Sequence, residues 1–329
     1  MPTNLPPEYF EAERRFRAAE TIPEKIACLE ELISTIPKHK GTEHLRGDLR
    51  RKLAKLKASA QQTSKISSKR DSIFHIRREG AGQVVMVGPT NVGKSALLTR
   101  LTNATPEVAD TPFTTWVPVP GMMPIENIKV QLIDTPSLNR EFVEPALMAL
   151  IRRADLVLVV VDLQADPIQQ LNDAVRLLVE HRIAPRHWRD RYSEGERITF
   201  LPFLVLANKW DDERYDEDYE IFCGLLEEEW PVLPVSAITG RNLETLKRIV
   251  FEQLDIIRIY SKAPGKEPDL TVPFVMKKGS TVAEFAEKIH RDFYEQLKAA
   301  RVWGSGVYEG QLVGRDHVLN DEDIVELRI

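Results

Sequence analysis

A chain of 329 residues with a net charge of −5 holds enough material for two or three domains and a buried core. It shows no signal-like apolar stretch and no apolar run long enough to cross a bilayer, so a soluble cytoplasmic protein with no membrane partner is expected. The two cysteines, Cys28 and Cys223, stand far apart and outside any metal-ligand spacing, which excludes structural zinc and a disulfide framework.

In chain order, Phe16, Ile26, Leu29, Leu32 and Ile33 recur at helical spacing until Pro37 breaks the pattern. Thr42 is the candidate N-cap of a second helix whose apolar stripe is Leu45, Leu49, Leu53 and Leu56. The two read as a helical hairpin, followed by a Ser-, Gln- and Lys-rich linker from Ala58 to Ser72. Charge is uneven here: from Lys38 to Arg78 there are 13 Lys and Arg against three acids, whereas residues 81–329 carry 28 against 39. A basic arm on an acidic body points to a polyanionic partner, RNA most simply, although a solvated helix face has the same composition.

From residue 80 to about 258, strands and helices alternate, which is the pattern of a doubly wound α/β sheet. An apolar run, Val84–Val87, leads into Gly88-Pro89-Thr90-Asn91-Val92-Gly93-Lys94-Ser95, after which Leu97, Leu98 and Leu101 take up helical spacing. Glycines let backbone N–H groups curl around a phosphate, and the helix N-terminus adds its positive dipole. In such a loop Lys94 reaches the β- and γ-phosphates and the Ser95 hydroxyl sits on Mg²⁺. Further strands are expected at Ile128–Asp134, Leu156–Asp162, Leu201–Asn208 and Val232–Ser236. Asp134-Thr135-Pro136-Ser137 closes one of them, and a carboxylate there would hold Mg²⁺ through water. Asn208-Lys209-Trp210-Asp211 closes another. The Asp211 carboxylate can accept two hydrogen bonds from guanine N1 and N2, which adenine cannot supply. Lys209 would lie along the base, Asn208 would tie this loop to the phosphate loop, and Ser236-Ala237-Ile238 would offer the Ala237 N–H to guanine O6. Trp210 is read as packing beside this loop. The tail from Pro264 to Ile329 differs: strands at Leu270–Val275 and Ile324–Ile329 flank a helix at Thr281–Phe293, so a small α+β domain is expected.

This set of motifs resembles the Obg family of translation-factor-like GTPases, and most of all its developmentally regulated, DRG-type branch. Asp110-Thr-Pro-Phe-Thr114-Thr115-Trp-Val-Pro-Val-Pro-Gly121 is similar to that family's switch, whose threonine completes the Mg²⁺ shell when a γ-phosphate is present; Thr115 is preferred over Thr114 for this role. Thr135, Pro136 and Ser137 are then the second switch. Ile36-Pro-Lys-His-Lys-Gly-Thr-Glu-His-Leu45 resembles the family's N-terminal helical region. Ile257-Arg-Ile-Tyr-Ser-Lys-Ala-Pro-Gly265, Phe285-Ala-Glu-Lys-Ile-His-Arg-Asp-Phe293 and Ala300-Arg-Val-Trp-Gly-Ser305 resemble its C-terminal TGS domain, a ubiquitin-like β-grasp. The resemblance implies three parts: a basic helical region and linker over 1–79, a P-loop G domain over 80–263, and a TGS domain over 264–329. It further implies a Mg²⁺-dependent GTPase that cycles between GTP and GDP and engages the ribosome or RNA, with a protein partner of the TGS domain possible and DNA not expected.

The chain also departs from the family. Only 45 residues separate Asp162 from Asn208, too few for the extra domain that DRG-type proteins carry there, and Arg182–Arg197 is read as its remnant. Ser137 stands where glycine is usual, which restricts the backbone flip of a switch. Leu138 follows where Ras-like proteins place a water-orienting glutamine, so slow intrinsic hydrolysis is expected. In GTPases with asparagine at the position of Asn91, its amide oxygen can help hold a potassium ion against the phosphates. The alternative to a switch is a sensor of guanine nucleotide, GTP, GDP or (p)ppGpp, that works by occupancy with negligible hydrolysis; a metabolic kinase is disfavoured by Asn208–Asp211.

Overall fold

The computed structural model describes residues 7–18, 22–36, 43–44, 46–55, 74–102, 117–138 and 144–329. They fall into two units, divided between Ile73 and Phe74.

In the first unit α1 (Pro7–Ala18) and α2 (Ile22–Thr35) replace the single helix expected before Pro37. Pro23 has no N–H to give to a preceding turn and suits a first turn, so a helix restarts there instead of running through. Leu29 and Leu32 of α2 and Ile36 just after it are buried, and Phe16 of α1 and Leu49 of a third helix, α3 (46–55), pack on Leu32 and Ile36. Arg15 donates to Glu31 at 2.9 Å across the α1–α2 pair. The hairpin is thus α1–α2, with α3 added. Gly41, Thr42, Leu45, Leu56 and the expected linker lie outside the described residues.

In the second unit a six-stranded sheet runs in the order β2-β3-β1-β4-β7-β8, built from β1 (Gln83–Val87), β2 (Val119–Ile125), β3 (Ile128–Asp134), β4 (Leu156–Asp162), β7 (Phe203–Asn208) and β8 (Val232–Pro234). Only β2 is antiparallel to its neighbour. Successive side chains point to opposite faces, and both faces are covered. Val85, Val87, Val157 and Val159 pack under α5 (Pro145–Arg152) and α6 (Pro167–Glu180). Val84, Met86, Leu156 and Leu158 pack under α4 (Lys94–Leu101) and α8 (Leu243–Gln253). That double burial is why these strands read as unbroken apolar runs. The expected strand at Leu201–Asn208 is split at Pro202, whose missing N–H ends the short β6 (Thr199–Leu201); β6 pairs with β5 (Ile183–Pro185) in a separate ribbon. Helix α7 (Asp216–Leu225) follows β7 and buries Phe222 in the first of these two cores.

The last sheet runs β10-β9-β13-β11-β12, from β9 (Ile256–Ser261), β10 (Phe274–Lys277), β11 (Ala299–Trp303), β12 (Gln311–Val313) and β13 (Asp323–Arg328), with β9 and β13 parallel. Its first strand therefore lies ahead of Pro264, where the sequence reading opens the domain. The strand expected at Leu270–Val275 begins only at Phe274, because Pro273 cannot donate and Asp269 caps a turn through the Thr271 N–H at 2.9 Å. Helix α9 (Val282–Ile289) carries a complete capping box, Thr281 with Glu284, and buries Val282, Phe285 and Ala286 on the sheet. It stops at His290, which is extended and accepts the Asp292 N–H to start α10 (Arg291–Gln296), so the expected helix at Thr281–Phe293 is two helices.

Arg258 on β9 fastens the two sheets together. Its guanidinium donates to Asp321 at 2.7 Å and Glu322 at 2.9 Å, pairs with Glu126 in the β2–β3 turn, and lies over the Phe251 ring of α8. Asn127 in the same turn bonds Tyr260 of β9. Arg258→Leu is expected to lower stability by about 2 kcal/mol, a figure held down because Glu126 and Glu322 are largely exposed. A fall of roughly 5 °C in the thermal midpoint checks it, and an unchanged midpoint overturns it.

Candidate nucleotide site

The site lies at the carboxyl ends of β1, β3, β4 and β7, where an open parallel sheet receives ligands. At the end of β1 the chain passes through Gly88 and Gly93, and both positions require glycine. A Cβ on Gly88 would fall 2.3 Å from the Val160 carbonyl oxygen, and one on Gly93, at φ +93°, would fall 2.2 Å from Asn208 Nδ2. Between them Asn91 is left-handed at φ +63° and exposed. Lys94, buried at the start of α4, donates to the carbonyls of Gly88 at 3.0 Å and Pro89 at 2.7 Å, so its ammonium sits across the mouth of the loop. Pro89 is half-buried, Thr90 is exposed and Val92 is buried.

Asp134 ends β3 level with Met86 of β1. Its Oδ2 accepts from the Ser95 hydroxyl at 2.5 Å, while its Oδ1 is buried without a hydrogen-bond partner. Burial pushes the Asp134 carboxyl above the usual carboxylate range, against the pull of the Ser95 hydrogen bond and the Lys94 charge. A buried oxygen left without a donor is unfavourable, and a hydrated divalent cation beside Ser95 would satisfy it, so these residues fit Mg²⁺. Thr135 donates to the Met86 carbonyl at 2.7 Å and fixes the turn after β3; Pro136 and Ser137 are buried behind it. The Leu138 N–H donates to the Gly88 carbonyl at 3.3 Å and its side chain joins the core. Thr114 and Thr115 lie outside the described residues.

At the end of β7, Asn208 is buried and joins three loops. Its Nδ2 donates to the Val92 carbonyl at 2.7 Å and its Oδ1 accepts from the Ala237 N–H at 3.1 Å. The Ala237 N–H, expected to meet guanine O6, is therefore taken by Asn208. Asp211 Oδ1 accepts from the Ser236 hydroxyl at 2.5 Å, and that hydroxyl accepts from the Thr239 N–H at 3.0 Å. Ile238 is 75 % exposed, outside the packed part of this loop. Trp210 does pack beside it: the Trp210 indole donates to Asp216 at 2.6 Å and carries the Arg241 guanidinium 3.5 Å from its ring centre.

Lys209 has φ +69°, and its ammonium pairs with Asp162 Oδ2 at 2.5 Å. Gln164 donates to the Lys209 carbonyl at 2.8 Å. Asp162 and Gln164 were not among the residues expected from the sequence. The available signal was a second acid closing a buried strand, the position that singles out Asp134.

Residues 83–187 match the family of 50S ribosome-binding GTPases, and residues 257–329 match the TGS domain. Developmentally-regulated GTP-binding protein 2 of Bos taurus is 27% identical, an alignment covering 93% of this chain and 99% of that one. An uncharacterized GTP-binding protein of Methanocaldococcus jannaschii is 30% identical over 94% of this chain and 93% of its own length. The chain belongs to the DRG-type GTPases. Ribosome-interacting GTPase 1 of Saccharomyces cerevisiae is a further relative of this DRG-type protein, 27% identical over 93% of this chain and 99% of the yeast one. Guanine-nucleotide binding is what the names of these relatives share. Among the described residues no helix of this DRG-type chain is long and apolar enough to cross a membrane.

Proposed function

We propose that this DRG-type GTPase is a Mg²⁺-dependent cytoplasmic switch that hydrolyses GTP slowly and, in its GTP form, engages the ribosome. The observation that carries this reading is the buried Asn208, which bonds the phosphate loop at Val92 and the loop at Ala237 in one piece. In this reading the 88–95 loop holds the phosphates. Asn208, Lys209, Asp211, Ser236, Ala237 and Ile238 surround guanine, and Asp211 is the selective group. Ser95, Asp134 and Thr115 would hold Mg²⁺, which when bound neutralises phosphate charge. Thr114, Thr135, Pro136 and Ser137 would respond to the γ-phosphate.

The Leu138 side chain is buried in the core and has no polar atom with which to orient water, which supports a slow intrinsic rate. Asn91, exposed at the outer edge of the loop, would hold K⁺ and supply positive charge where the transition state develops its negative charge. The name of the yeast relative and the match to 50S ribosome-binding GTPases support the ribosome as partner. The basic helices and the TGS domain would carry the RNA contacts. Buried Ser137 and Leu138 also favour the second reading, a sensor that works by occupancy.

One set of assays tests these readings. GTP turnover is expected to require Mg²⁺ and to rise when K⁺ replaces Na⁺. Sedimentation with ribosomal subunits is expected to favour the protein loaded with a non-hydrolysable GTP analogue over the GDP form, and to weaken with salt. Equal rates in both salts remove the K⁺ role. Absence of turnover with and without ribosomes favours the sensor, and absence of co-sedimentation in either state removes the ribosome as partner.

A further inference from the structure

We infer that the turn after β4 is the positioning element of the guanine-reading loop, and that Gln164 within it sets part of the affinity and selectivity for guanine. The inference rests on reading Asn208–Asp211 as the base-recognition loop. Asp162 and Asn208 are register partners at the ends of adjacent parallel strands, so the two following turns leave the sheet side by side. They are bonded together at every step. The Leu163 N–H donates to the Asn208 carbonyl at 3.0 Å, Lys209 pairs with Asp162, and Gln164 Nε2 donates to the Lys209 carbonyl at 2.8 Å. The same Gln164 amide lies 3.5 Å from Asp211 Oδ2.

These bonds have work to do. Lys209 is a non-glycine residue in the left-handed region, a conformation that persists only where the surroundings hold it. The 162–164 turn is itself braced: Asp162 Oδ1 accepts the Gln164 N–H at 3.0 Å, and the Asp162 N–H donates to Gln170 of α6 at 2.8 Å. Asp211 then has a donor at each carboxylate oxygen, Ser236 on Oδ1 and Gln164 on Oδ2. Two neighbouring N–H groups of guanine can be read together only if both oxygens lie in the plane of the base. A carboxylate has about four lone-pair sites, so each oxygen keeps one for the base after accepting from its holder. Gln164 therefore acts through Lys209 and Asp211 and need not touch the nucleotide.

The test measures GDP and IDP affinity and GTP turnover for wild type, Gln164→Ala, Gln164→Glu and Asp162→Asn, with thermal midpoints as a folding control. IDP lacks the 2-amino group and uses one Asp211 oxygen. Gln164→Ala is expected to weaken GDP about tenfold, the loss of roughly one hydrogen bond's worth of pre-organisation, and IDP by less. The Michaelis constant for GTP should rise while kcat at saturation stays close to wild type, because the phosphate loop is not altered. Gln164→Glu should be worse than alanine, since it sets a second carboxylate against Asp211. Asp162→Asn should resemble Gln164→Ala. Unchanged GDP affinity in Gln164→Ala, or an equal loss for GDP and IDP accompanied by a fall in kcat, overturns the inference. Wild type that binds no GDP would sink the base-loop reading and this inference with it, so the two failures are distinct.

Discussion

Asp211→Asn should lower the affinity for GTP by about a thousandfold and raise that for XTP. The Ser236 hydroxyl donates to Asp211 Oδ1 at 2.5 Å, so an asparagine would turn its oxygen to Ser236 and its NH₂ outward, toward Gln164 and the base. That NH₂ would oppose the 2-amino group of guanine, donor against donor, while the amide oxygen could still accept from N1–H. Xanthine has a carbonyl at C2 in place of the amino group and accepts from the amide. The large factor follows from leaving paired polar groups of a closed site without partners, which costs far more than losing an apolar contact. Competition of GTP and XTP for the same fluorescent nucleotide measures it, and unaltered preference for GTP would remove Asp211 from base recognition.

Gly93→Val is the second large effect, with nucleotide binding abolished and stability reduced by about 3 kcal/mol. A Cβ at Gly93 meets Asn208 Nδ2 at 2.2 Å, and φ is +93°, where side-chain-bearing residues are strained. Asn208 must then move, and its bonds to Val92 and Ala237 break inside a buried site. One substitution thus separates the phosphate loop from the base loop. Gly93→Ala brings the same Cβ and should lose most of the binding. A thermal melt and a GDP titration check both, and wild-type GDP affinity in the valine variant would show that the Gly93–Asn208 contact is dispensable.

What was legible in the sequence shares a physical character. Val84–Val87, Leu156–Asp162 and Leu204–Asn208 announce themselves because strands buried on both faces must be continuously apolar. The phosphate loop is legible because its glycines are demanded by local backbone geometry. Long-range pairings left less trace. Asp162 looked like the last residue of a strand, and its tie to Lys209 depends on the register of β4 against β7. β2 carries Pro120, Gly121 and Pro124, poor strand formers, and is held as an edge strand by its pairing with β3. The breaks at Pro23 and His290 sit within apolar periodicities that continue on both sides, so the pattern alone runs one helix across each.

The start of the last sheet has a practical consequence. β9 follows α8 with only Leu254 and Asp255 between them, and it occupies the interior of its sheet, between β10 and β13. A fragment begun at Pro264 would keep four of the five strands and lose an inner one. β10 would have no neighbour to hydrogen-bond, β13 would present a bare edge, and Ile257 and Ile259 would be missing from the core beneath α9. Excision of the C-terminal domain therefore has to cut ahead of Ile256, inside what the chain order assigns to the nucleotide-binding half.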